Sequence, residues 1–147
     1  MTSVTKSTDD QVIRNREYFD RAIIFQGCSS VGGFTDIDAV YDVKGKALIL
    51  IEVKREGCAI TTGQKILFER LVMWCQKPVY AITAWENTDG DIILKDCIVK
   101  EVRTKGKDGK SVVKKFNKHT VKQVVNYIEK KHGVDNGTIN TTNYHME

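Results

Sequence analysis

Two charged residues stand at the end of one of the most apolar stretches of the chain. In ALILIEVKR, residues 47–55, Glu52 and Lys54 follow five aliphatic residues and flank Val53. Residues two apart on an extended strand face the same side, so this carboxylate and this ammonium share a face. A charged pair at the end of a buried strand is costly unless something compensates it. A cation and a phosphate would compensate both groups. Upstream, TDIDAVYDV carries Asp36 and Asp38, and Lys44-Gly45-Lys46 separates it from the apolar strand. A three-residue turn there pairs Val43 with Ala47, which sets Asp38 opposite Glu52 and Asp36 opposite Lys54. Directly paired residues share a face, whereas a two-residue turn would shift the register and break the alignment.

Magnesium favours hard oxygen ligands and usually takes one or two carboxylates from a protein. Phosphodiester hydrolysis uses such a metal to shield the phosphate and activate water, and a further group to steady the reacting oxygen. The expected site therefore has Asp38 and Glu52 as ligands of Mg²⁺, which Mn²⁺ would replace, with help from Asp36 or the Val53 carbonyl. Lys54 would act on the phosphate or the attacking water. Asp36 stays open as the alternative main ligand. A surface hairpin bearing ordinary ion pairs is the competing reading.

The elements that must carry this group are legible as patterns. Asp9 or Asp10 starts a helix running to about Arg21. Thr35–Val43 and Ala47–Val53 read as a hairpin with a buried second strand, Ile37, Ala39 and Tyr41 lying on one face. Ile60–Gln76 reads as a helix capped by Thr61 or Thr62, with Ile66, Leu67, Leu71 and Trp74 at helical spacing and Pro78 past its end. Val79–Trp85 is a strand and Asn87–Gly90 a turn. Asp91–Arg103 and Ser111–Phe116 form a second hairpin. Thr120–His132 is a last helix, ending at Gly133. The expectation is one α/β domain over residues 1–133, with a mixed central sheet, and a frayed tail over 134–147.

Composition sets the wider limits. The 147 residues include 41% hydrophobic and 29% charged positions, ordinary for a globular chain. No run is long and apolar enough for a membrane span, and the polar N-terminus lacks a signal-peptide core, so a cytoplasmic protein is expected. The four cysteines form no closely spaced pair, which argues for reduced, mostly buried thiols rather than zinc. The net charge of +4 is modest, but Lys105, Lys107, Lys110, Lys114 and Lys115 crowd the second hairpin. Such a cluster either grips nucleic-acid phosphates or merely solvates a rim. Gly27–Gly33, GCSSVGG, is a loop whose small residues let backbone amides approach a phosphate.

The segment TDIDAVYDVKGKALILIEVKREG resembles the core of the PD-(D/E)XK nuclease superfamily, with Asp38 as its acid and Glu52-Val53-Lys54 as its (D/E)-x-K. The following stretch, ITTGQKILFERLVMWCQKPVYAITAWE, is similar to the virus-type replication-repair (VRR-NUC) branch and to archaeal Holliday-junction resolvases. Residues 14–86 also look like small phage proteins of this superfamily. The proline that usually precedes the acid is absent, since Ile37 precedes Asp38. The resemblance implies a restriction-endonuclease-like core and a DNA endonuclease of recombination, repair or replication in a phage setting, with the host cytoplasm as its place. It adds Gln64 to the catalytic set, Glu17 as a further acid, and Ser29 or Ser30 as DNA contacts. Arg55 joins the lysines of the second hairpin as a DNA-binding residue. A homodimer is implied by the two-fold symmetry of a four-way junction. The alternative is a nuclease-like fold that binds nucleic acid or a host protein without cutting, and RNA is the alternative substrate.

Overall fold

A hairpin closed by Lys44-Gly45-Lys46 opens the central sheet of the protein. Lys44 and Gly45 both take positive φ, +52° and +73°. The Asp42 carboxylate accepts the Gly45 N–H at 2.7 Å, and the Val43 carbonyl accepts the Lys46 N–H at 2.9 Å. Glycine adopts this left-handed region at no steric cost. The turn fixes Val43 opposite Ala47 and carries the ladder to Ala39 opposite Ile51. The register expected from the three-residue turn is therefore present.

The computed structural model describes residues 26–27, 29–31 and 35–134. The chain divides into two compact units, Met1–Phe34 and Thr35–Glu147. In the first, Gly27 has φ +86°, and the Ser29 hydroxyl accepts the Val31 N–H at 3.2 Å. The expected first helix, with Glu17, lies outside the described residues.

The second unit runs β1 (Ala39–Val43), β2 (Ala47–Arg55), α1 (Thr62–Trp74), β3 (Val79–Glu86), a 3₁₀ turn (Leu94–Asp96), β4 (Ile98–Lys105), β5 (Ser111–Lys115) and α2 (Val121–Lys131). The sheet order is β1-β2-β3-β4-β5. β2 and β3 are parallel, joined through α1, and their neighbours pair antiparallel. This is an α/β architecture with a five-stranded mixed sheet and, among the described residues, two helices.

Each helix covers one face. Val121, Val124 and Ile128 of α2 pack on Ile49, Ile51, Ile82 and Val99. Phe68 and Val72 of α1 pack on Leu50, Val79 and Ala81. Burying an aliphatic or aromatic side chain of this kind is worth about 1.5–3 kcal/mol, so these two seams hold the sheet between the helices. Alternation along β2 sends Ile49, Ile51 and Val53 toward α2, and Leu48, Leu50, Glu52 and Lys54 toward α1.

Several expectations need correction. The first strand begins at Ala39, not Thr35, and Ile37 leaves its expected face to pack in the α1 cluster with Leu50 and Phe68. The stripe that α1 buries is Gln64, Phe68 and Val72, while Ile66 and Trp74 are exposed. The stretch Asp91–Cys97 is no strand. Leu94–Asp96 makes the 3₁₀ turn there, and β4 starts at Ile98. β4 carries an irregularity where Thr83 pairs with Glu101 but Ala84 pairs with Val99. This leaves Lys100 as an extra residue, the signature of a bulge. Of the cysteines, Cys97 is buried but Cys58 is exposed, against the expectation of mostly buried thiols.

Candidate metal-binding active site

Glu52 enters the interior because β2 is flanked on both sides and α1 lies over it. Its residue is only 4% exposed. One carboxylate oxygen, Oε1, accepts the Gln64 side-chain amide at 2.7 Å and lies 3.5 Å from the Lys54 ammonium. The other, Oε2, is buried and has no hydrogen-bond partner among the described residues. Burial raises the Glu52 pKa most, and the nearby Asp38 charge raises it further. Lys54 and the Gln64 hydrogen bond oppose both effects without cancelling them.

Asp38 sits one residue before β1. Continuing the ladder from Ala39 and Ile51 places it opposite Glu52. Its side chain is held there by the backbone of β2, since the Val53 N–H donates to Asp38 Oδ2 at 2.7 Å. The two carboxylates thus approach one another at a strand end, one buried and one exposed to solvent.

Gln64 is placed by a helix cap. Thr61 Oγ1 accepts the Gln64 N–H at 3.1 Å, and Gln64 Oε1 accepts the Thr61 N–H at 3.0 Å. This reciprocal pair is a capping box. It consumes the carbonyl end of the side chain and leaves the amide end to donate to Glu52. One residue therefore closes the N-terminus of α1 and fixes the orientation of the Glu52 carboxylate. It also explains the buried stripe of α1: once Gln64 faces the sheet, residues four and eight further on must do so as well.

The fit of a divalent cation follows from this donor set. Two carboxylates, mutually repelling and partly stripped of water, offer hard oxygen ligands, and Glu52 Oε2 has spare acceptor capacity. Magnesium asks no more of a protein than one or two such groups. Among the described residues, no group of three or more Asp, Glu, His or Cys is arranged to hold a metal ion. Asp38 and Glu52 therefore form a pair, and Asp36, exposed ahead of β1, does not make it a trio.

The remaining expected residues are dispersed. Arg55 is engaged in bracing a loop, its guanidinium bonding the Thr88 carbonyl at 2.6 Å and the Glu86 carboxylate at 3.3 Å. Lys105 donates to the Cys75 carbonyl, and Lys115 donates to Glu101 at 2.8 Å. Lys107 and Lys110 are exposed at the hairpin tip. Because β4 runs antiparallel to β3, that tip lies at the opposite end of the sheet from Glu52. Thr83, the partner of Glu52, pairs with Glu101, and Lys105 is four residues further along β4, roughly 13 Å at strand rise. Ser29 and Ser30 are exposed within the first unit.

Two neighbours of the site carry no signal in the sequence. Thr83 and Trp85 are the β3 partners of Glu52 and Lys54. Trp85 donates its indole N–H to the Cys58 carbonyl at 2.8 Å and stacks under the Lys100 ammonium, 4.3 Å from the ring centre. It also lines a cavity of about 400 Å³ together with Glu56, Glu86, Asp96 and Lys100, a lining that includes none of Asp38, Glu52, Lys54 and Gln64. Only the parallel β2–β3 pairing brings Thr83 and Trp85 to Glu52 and Lys54, and that pairing is not written in local spacing.

No protein-family model, curated protein or solved structure matches the chain. No described helix is long and apolar enough to cross a membrane.

Proposed function

We propose that this protein is a metal-dependent endonuclease that hydrolyses DNA phosphodiester bonds, with a restriction-endonuclease-like core of the PD-(D/E)XK type. The observation that carries the reading is the convergence of Asp38, Glu52, Lys54 and Gln64 at the C-terminal end of β2, with Glu52 buried and one of its oxygens without a partner among the described residues. A plain surface ion pair needs no buried carboxylate, and burial makes this one costly.

Asp38 and Glu52 would hold Mg²⁺, which when bound supplies charge to shield the phosphate and to activate water. The chain's own groups do the rest. The Val53 N–H fixes Asp38, and Gln64 fixes Glu52. Lys54 is paired with Glu52 at 3.5 Å and keeps about a quarter of its side chain exposed. That leaves its ammonium free to meet an incoming phosphate and stabilise the charge that builds on it. A DNA substrate, a phage setting, a cytoplasmic site of action and a dimeric working form complete the proposal.

The test is cleavage of supercoiled plasmid and of branched, single-stranded and duplex DNA, alongside RNA, in Mg²⁺, Mn²⁺ or EDTA. Cutting is expected with either metal and not with EDTA. Glu52→Ala and Lys54→Ala should each lower the rate by at least about 100-fold, the scale of losing a group that stabilises the transition state. Binding without cutting under every metal would defeat the enzyme and favour a silent binding protein.

A further inference from the structure

Four buried side-chain atoms find no partner among the described residues; apart from Ser111 Oγ at the start of β5, these are Glu52 Oε2, Thr83 Oγ1 and Arg103 Nε on the α1 face of the sheet. Their residues are 4%, 3% and 5% exposed. They belong to three adjacent strands. Glu52 of β2 pairs with Thr83 of β3, and Thr83 pairs with Glu101 of β4, two residues from Arg103. Arg103 is directed toward this row, since its Nη1 donates to Glu101 Oε1 at 2.6 Å. Thr83 therefore lies between the buried carboxylate and the buried guanidinium.

The three atoms are complementary in kind. Glu52 Oε2 accepts, Arg103 Nε donates, and the threonine hydroxyl does both. Buried polar groups are almost always satisfied, by protein or by ordered water. A second cation does not suit the Thr83 side. Arg103 and Lys115 already hold both oxygens of Glu101 there, at 2.6 and 2.8 Å, and fill the row with positive charge. A neutral molecule that both donates and accepts meets the requirement.

We infer that Thr83 and Arg103 are positioning residues for Glu52, acting through ordered internal water seated at the Thr83 hydroxyl. Water bonded to Thr83 Oγ1 donates to Glu52 Oε2 on one side and accepts from Arg103 Nε–H on the other. Glu52 is then oriented from both flanks, by Gln64 on α1 and by hydrated Thr83 on β3. A carboxylate oxygen has two acceptor positions, so this bond leaves room for a cation shared with Asp38. Groups behind a metal ligand commonly control affinity or activity by about 10- to 100-fold. The positioning role rests on the nuclease reading; the water site does not.

The experiment is a crystal structure of the full chain, at a resolution that shows ordered water, with Mn²⁺ titrations and DNA cleavage by wild type, Thr83→Val and Thr83→Ser. Water within hydrogen-bond distance of both Thr83 Oγ1 and Glu52 Oε2 is expected in the wild type. Thr83→Val should lower Mn²⁺ affinity or kcat by about tenfold with KM for DNA unchanged, and Thr83→Ser should restore it. A wild-type structure without that water, or a Thr83→Val protein with unchanged Mn²⁺ affinity and kcat, would overturn the inference. Should Thr83→Val not fold, the wild-type density and the Thr83→Ser protein still decide. If no protein cuts DNA, the nuclease reading fails separately, and the water with the Mn²⁺ affinities still judges Thr83.

Discussion

Glu52 is a residue the fold tolerates at a cost. It is buried, carries an oxygen with no partner among the described residues, and is pushed toward its protonated form by burial and by Asp38. Such a group weakens the resting protein, a cost that a bound cation would offset. Glu52→Gln keeps the shape and removes the charge, so without metal it is expected to raise the melting temperature at neutral pH, by about 2–5 °C for roughly 1 kcal/mol. Added Mg²⁺ should raise that of the wild type and not of the variant. Thermal melts with and without metal check this, and a lower melting temperature for Glu52→Gln would mean that the charge is structural. At this scale much of the site was legible. A glutamate and a lysine ending an aliphatic strand announce themselves, and so does an aspartate at hairpin distance. Thr83 did not, because a threonine in an apolar strand is unremarkable until β3 is laid beside β2.

At the scale of elements, the site depends on turn length. Lys44 and Gly45 in left-handed conformations close the hairpin so that Asp38 faces Glu52. Inserting one residue between Lys44 and Gly45 shifts the register and moves Asp38 to the other face. Cleavage is expected to fall to the level of an Asp38→Ala protein while α2 and its core stay folded; circular dichroism and the plasmid assay together report this, and full activity would show the register to be irrelevant. The ion cluster on β4 and β5 gives a second expectation. Burial raises the Glu101 pKa, but hydrogen bonds from Lys115 and Arg103 outweigh it and hold the carboxyl below its ordinary value. A lowered carboxylate pKa contributes stability above the unfolded-state value and loses it as pH falls through the folded one. Glu101→Gln should therefore destabilise the protein at neutral pH, with the deficit shrinking below about pH 4, the ordinary carboxylate range. Denaturant titrations at both pH values check it; a constant deficit would contradict the ionic origin. The hairpins and the crossover helix could be read from turn residues and periodicity. The buried face of α1 could not, because Gln64 sets it through the site and leaves the more apolar Ile66 and Trp74 outside.

Across the whole molecule, charge and chemistry are set apart. The carboxylates gather where β2 and β3 end, while Lys107 and Lys110 project from the β4–β5 turn at the far end of the sheet. The lysine run looked like one patch in sequence because it is contiguous, but antiparallel pairing spreads it along the strands. Lys115 stays in the row of Glu52 and Thr83, three strands away, and Lys105 is tied to the end of α1 through the Cys75 carbonyl. The proposed function rests on a single cation that Asp38 and Glu52 would hold beside Lys54. The most direct measurement is a calorimetric titration of the full chain with Mn²⁺, for wild type, Asp38→Asn and Glu52→Gln. One site per chain is expected in the wild type, weakened at least about tenfold by either substitution. Binding equally tight in all three proteins, or none in the wild type, would contradict it.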